Sequence, residues 1–215
     1  VGCRSAYTTV WPWSSKSIID GQGVSVNVKV TPGMMGEEIL KQTNYLANVN
    51  HLTISGSINE DDINNIKNSM PNLLSIDMSG LDMKEIPSHL FAGRKPLQSV
   101  ILPKNVEIIQ YGAFYDCHNL TNIKIPSSAT YIGEDAFTNC KGLINVEIPS
   151  SVTMIGEGAF SRCENLTSIE IPSSVTFIGD YVFYECENLS SIKLPSTITS
   201  IGNYAFYKCN KLESI

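Results

Sequence analysis

Charge is what this 215-residue chain has little of. Only 17% of its residues are Asp, Glu, Lys or Arg, and 15 basic residues are interspersed with 21 acidic ones for a net charge of −6. With 42% hydrophobic residues, so low a charge content argues against a disordered chain. The absence of any Lys/Arg cluster excludes the footprint of a nucleic-acid or anionic-membrane partner. No apolar run approaches the roughly 18 residues that a membrane helix needs. Histidine is scarce: His51, His89 and His118 are its three occurrences, and they build no motif with neighbouring residues. There is no Ser-His-Asp arrangement, no HExxH, no phosphate-binding loop and no GxGxxG. These gaps argue for a protein that is not an enzyme and needs no cofactor or metal.

What the chain has is repetition. Phe91, Phe114, Phe137, Phe160, Phe183 and Phe206 recur at a constant interval of 23 residues. Leu97, Leu120, Leu143, Leu166, Leu189 and Leu212 keep the same step, as do Pro103 to Pro195, Cys117 to Cys209 and Gly133 to Gly202. Columns held in step in this way are the signature of a repeat array.

Each unit has a physical reading. In "LTSIEIP", Ile169 and Ile171 alternate with Ser168 and Glu170, the period-2 pattern of a strand with one buried face. Pro172 lacks the N–H a ladder needs, so the strand ends there. "SVTFIG" turns the chain, with Gly179 expected to take a backbone angle that other residues resist. "DYVFYEC" reads as a short helical or 3₁₀ turn with Phe and Cys inward. One such unit cannot bury its own apolar face, so units must stack, and the fold class is an α/β repeat solenoid.

The Leu-x-x-Ile-x-Ile core, with Pro after the strand, then Val-Thr-x-Ile-Gly, Ala-Phe and Cys-x-x-Leu, resembles the BspA-like (Treponema-type) leucine-rich repeats. The resemblance is close from Leu97 to Ile215 and looser upstream, where Leu73, Ile76, Met78, Ile86 and Phe91 hold the register in a unit one residue longer. It implies a right-handed superhelix with parallel strands on one face and short helical turns on the other. It also implies a surface or secreted protein of a bacterium or protozoan parasite, acting by adhesion to a host matrix protein, a cell surface or a glycan.

The expected organisation is a lead-in or tether over residues 1–22, an N-terminal strand-helix cap over 23–50, and repeats over 51–215. The repeats are irregular over 51–96 and regular over 97–215. "VSVNVKV" is the strand of the cap and "GEEILKQTNYLANV" its helix, together covering the open edge of the first repeat. "HLTISG" and "NEDDINNIKNSM" add a further strand and a true helix. Ile215 falls inside a strand with no cap after it, so further repeats are expected beyond it. Gly2-Cys3 fits the remnant of a lipoprotein cleavage site, with Cys3 as a candidate lipid anchor; an ordinary cysteine in a lead-in fits as well.

The periodic cysteines are separated by one rung each, which suits neither a metal cluster nor an even set of disulfides, so buried free thiols acting as small hydrophobes are expected. Glu134, Glu157 and Asp180 sit one per rung, as solvated turn residues do. Asn119, Asn165 and Asn188 each open an N-glycosylation acceptor triplet, although Asn also suits the loop before a strand. Two surfaces remain as candidate binding sites. On the strand face Lys124, Glu147, Glu170 and Lys193 form one outward column, with Lys124 placed to pair with Glu147 and Lys193 with Glu170. A stripe of Ser and Asn beside it leaves room for a glycan. In the "VTxIG" segments, Tyr131, Met154 and Phe177, with Ile108 before them, form an apolar column suited to a protein partner if it faces outward. The reading is a non-catalytic extracellular or cell-surface binding module for a protein or glycan, against the alternative of a structural spacer within a longer surface protein. The sequence does not decide the oligomeric state.

Overall fold

The computed structural model describes residues 23–213; the 1–22 lead-in, Cys3 and the strand expected at Ile215 lie outside the described residues. The chain coils as a solenoid in which every rung adds a strand to one parallel sheet. That sheet runs β1 (Val24–Val30), β2 (Val49–Gly56), β3 (Ser75–Leu81), β5 (Ser99–Ile101), β7 (Asn122–Lys124), β9 (Asn145–Glu147), β11 (Ser168–Glu170) and β13 (Ser191–Lys193). Two-residue strands on a second side give each rung a corner: β4 (Glu85–Ile86), β6 (Ile108–Ile109), β8 (Tyr131–Ile132) and β10 (Met154–Ile155) pair in one ladder, and β12 (Phe177–Ile178) with β14 (Ser200–Ile201) in another.

The predicted columns become continuous spines. Phe91, Phe114, Phe137, Phe160 and Phe183 are fully buried and stack at 5.1–5.8 Å between ring centroids, within 15° of parallel. Phe206 extends the stack at 5.5 Å but is only partly buried. The Leu and Ile columns fill the space between the phenylalanines and the sheet. Burial of this kind is the main favourable term in stacking one rung on the next.

Behind the strands the rungs are built in two ways. The first use helices: α1 (Met35–Leu40) follows β1, and α2 (Glu60–Ser69) follows β2. The segment predicted as one helix over "GEEILKQTNYLANV" is shorter than expected, ending at Leu40, with a separate 3₁₀ turn at Leu46–Asn48. From residue 87 onward the back of each rung is a run of tight turns. The helical or 3₁₀ stretch expected there is divided, because alternate N–H groups bond differently. Ala136, Thr138 and Cys140 donate three residues back, to Gly133, Asp135 and Phe137, whereas Asp135, Phe137 and Asn139 donate forward to Glu157, Ala159 and Ser161 of the next rung. The pattern recurs rung after rung, and it satisfies backbone groups that a buried turn would otherwise leave unpaired.

That alternation requires two positive-φ residues per rung. One column is His89, Gly112, Asp135, Gly158, Tyr181 and Tyr204; the other is Gly93, Asp116, Asn139, Arg162, Glu185 and Lys208, with φ between 53° and 73°. The glycines expected to supply special angles do something else. Gly133, Gly156 and Gly202 have ordinary φ, but a Cβ on them would lie 2.4–2.7 Å from backbone of the rung before. They are glycine because two backbones touch. Gly179 is the exception: its nearest such contact, Glu157 Cα, would be 3.8 Å away, at the step where the ladder between β10 and β12 is interrupted.

Candidate binding surfaces

The strand face carries the predicted charged column. Lys124 faces Glu147, Glu147 faces Glu170, and Glu170 faces Lys193 in register. Lys193 Nζ lies 2.5 Å from Glu170 Oε1. Among the described residues no ion pair joins Lys124 to Glu147, and Glu147 instead stands beside a like charge in Glu170. Both side chains of the Lys193 pair are mostly exposed, so the pair adds little to stability. Of the acceptor asparagines, Asn188 donates to Glu164 O at 2.8 Å and reaches Asn165, as a loop-bracing residue does.

The apolar column faces outward. Ile109, Ile132, Ile155 and Ile178 point into the core at 0–1% exposure, and their neighbours lie on the outer side, Met154 exposed and Ile108, Tyr131 and Phe177 half-buried. Ile108, Tyr131 and Met154 are direct register partners on β6, β8 and β10. Met154 is 45% exposed. Phe177 lies across the interruption, on β12, and pairs with Ser200.

A third surface, on the turns, is one that sequence reasoning missed. Between rungs a groove of about 360 Å³ opens, lined by Glu134, Asp135, Thr138, Glu157, Gly158, Ser161, Arg162, Tyr181 and Tyr184. Its C-terminal wall is a tyrosine stack. Tyr181 lies on Tyr204 at 5.4 Å and Tyr184 on Tyr207 at 5.2 Å, while Tyr181 and Tyr184 meet edge to face at 5.7 Å. Arg162 bonds Glu185 at 3.1 Å and stands 5.9 Å from the Tyr184 ring, and Lys208 holds Glu185 from the other side at 2.7 Å. The Lys208 hydrogen bond in particular keeps the Glu185 carboxyl below the usual range. The signal was present in the columns: Tyr115, Thr138, Ser161, Tyr184, Tyr207 and Gly112, Asp135, Gly158, Tyr181, Tyr204 each dip to small residues in mid-array.

The five periodic cysteines, Cys117 to Cys209, are free, buried thiols. Burial pushes Cys117 up to about 12, Cys209 to about 11 and the three between them well above the ordinary thiol range. They are more than small hydrophobes, however. Each Sγ–H donates to the carbonyl of the preceding rung's phenylalanine, Cys117 to Phe91 at 3.0 Å and Cys163 to Phe137 at 3.3 Å. Arg94 holds the same place one rung earlier, where the preceding rung is helical. Its guanidinium reaches past the thiol position to cap Ile66 O and Met70 O at the end of α2. Burial lowers the Arg94 pKa from its ordinary value. Among the described residues no group of His, Cys, Asp and Glu is placed to hold a metal ion, and no helix is long and apolar enough to cross a membrane.

The family description "BspA type leucine rich repeat region" matches residues 84–213 in six copies. Among solved structures, a leucine-rich repeat protein of T. pallidum is 34% identical with a TM-score of 0.63, covering 66% of this chain and 66% of its own. One from Bacteroides ovatus is 25% identical with a TM-score of 0.66, covering 94% of this chain and 57% of its own. The chain thus spans between about half and two thirds of the length of these two proteins. No curated protein matches the chain.

Proposed function

Since the chain belongs to the BspA-type leucine-rich-repeat family, we propose that it works at a cell surface or outside the cell as a non-catalytic module that binds a partner protein. The observation that carries this reading is the outward column Ile108–Tyr131–Met154, continued by Phe177. Four consecutive rungs each place a large apolar or aromatic side chain on the outer side, exposed at Met154 and half-buried at Ile108, Tyr131 and Phe177. Protein partners gain affinity chiefly from such anchors, while rim charges govern orientation and rate. From β7 to β13 the strand face, with Lys124, Glu147, Glu170 and Lys193, supplies exposed charges and small polar side chains, its exposed apolar residue Ile101 standing alone on β5. A solenoid spreads its contacts over several rungs because one rung offers too few.

The test is a binding screen against extracellular-matrix proteins, followed by two sets of variants checked for unchanged melting. Tyr131→Ser with Met154→Ser should weaken binding of any protein found by about tenfold or more. Replacing Lys124, Glu147, Glu170 and Lys193 by Ala should change mainly the association rate and its salt dependence. A protein partner that binds both sets as tightly as the parent would sink the ridge assignment. No saturable partner at all would favour a structural spacer.

A further inference from the structure

We propose that the turn-face groove is a second site, independent of the ridge, and that it binds a neutral saccharide. The groove exists because two adjacent rungs omit what their neighbours carry. Tyr115 and Tyr184 stand three rungs apart in one column, with Thr138 and Ser161 between them. At about 4.8 Å per rung this leaves a notch on the order of 10 Å between walls, wide enough for a sugar ring. In the adjoining column Gly158 sits between Asp135 and Tyr181. A Cβ there would come 2.5 Å from Asp135 Oδ1, so glycine at this position makes room for the Asp135 carboxylate at the edge of the groove.

The chemistry of the lining selects the ligand. Tyr181 is backed by Tyr204 on one face and braced by Tyr184 at its edge, which sets the ring rigidly in the wall of the groove. A rigid aromatic face of this kind suits the C–H face of a pyranose and costs little entropy to order. Around it stand acceptor-only carboxylates, Glu134, Asp135 and Glu157, and the donor-only guanidinium of Arg162. Sugar hydroxyls both donate and accept, so they can use both kinds of partner. Asp135 is itself steadied by Thr138, whose Oγ1 lies 2.7 Å from Oδ1. Three carboxylates against one guanidinium repel an anionic sugar. A cationic ligand is disfavoured at Tyr184, because Arg162 already occupies the approach to that ring. The volume is at the small end of ligand sites, fitting one or two rings.

Titration calorimetry with mannohexaose, maltohexaose and tetra-N-acetylchitotetraose at about 1 mM tests this, a concentration suited to a weak carbohydrate site. At least one probe should bind. Tyr181→Ala should weaken it about tenfold, the loss of one good aromatic contact. Ser161→Tyr places in the notch the side chain that Tyr115, Tyr184 and Tyr207 carry in the same column and should abolish binding, with melting unchanged. Met154→Ser, on the ridge, should leave sugar binding intact whatever becomes of the protein partner. The proposal is overturned if none of the three probes binds. It is equally overturned if binding survives Ser161→Tyr, or if tetramethylammonium binds the groove while the sugars do not.

Discussion

The helical rungs at the start and the turn rungs that follow solve one problem by opposite means. Both must satisfy backbone polar groups on the side away from the strands. A helix pairs its own N–H and C=O groups internally and leaves only its ends. The ends of α1 and α2 are therefore met by buried charge: Asp62 accepts from Gly33 N at 2.7 Å, Met35 N at 2.9 Å and Asn59 N at 3.1 Å, and Arg94 caps the carbonyls of Ile66 and Met70. The turn rungs keep every other hydrogen bond within the rung and pass the alternate ones to the next rung, with a neutral thiol taking one carbonyl back. Dependence on a few residues in the first region is replaced by dependence on neighbours in the second.

The contrast can be broken in order of expected size. Phe137→Ala or Phe160→Ala should cost about 3–5 kcal/mol, because a stacked ring leaves a cavity that rungs on both sides cannot close; urea midpoints measure this, and an unchanged midpoint would deny the spine. Arg94→Met should cost about 2–4 kcal/mol, since two buried carbonyls lose a charged donor. Arg94→Cys should rescue little of that, because a thiol is too short to reach the end of α2. Asp62→Asn keeps the shape but weakens three hydrogen bonds, and should cost about 1–3 kcal/mol. Hydrogen exchange would then show the loss concentrated at α1 and β1, whereas a Phe variant should loosen the regular rungs. The smallest effect is expected at Cys163→Ala, about 1–2 kcal/mol for a small buried group and a weak donor. The same thiols should resist labelling in the folded protein and react fully once denatured, since burial disfavours their thiolates.

What the sequence disclosed followed from periodicity. The Phe, Leu and Ile spines and the strands all come from spacings of two and 23 residues; those spacings leave open whether the column of Tyr131 and Met154 faces outward. What it hid has other origins. The cysteine hydrogen bond was invisible because a buried thiol and a small hydrophobe leave the same mark in composition. The glycine column was misread because contact between backbones, as at Gly133, Gly156 and Gly202, and a left-handed angle both select glycine; Gly179 itself shows neither. The positive-φ positions escaped notice because Tyr, Arg, Glu and Lys have no preference for that conformation and are held in it by the ladder. The groove is defined by side chains that are missing from two rungs, and a motif search looks for side chains that are present.

Those positive-φ columns bear on how such a scaffold can change over generations. A non-glycine residue there is strained by about 1 kcal/mol or more, yet His, Asp, Asn, Arg, Tyr, Glu and Lys all occur. Inter-rung pairing absorbs that cost whichever side chain is present, so the identity of the residue is nearly free of the fold. Each rung thus carries two mounting points whose cargo can be exchanged by single substitutions while the spines stay untouched. Copying a rung adds two more. An array of this kind can acquire, move or discard a recognition surface without passing through an unfolded intermediate sequence.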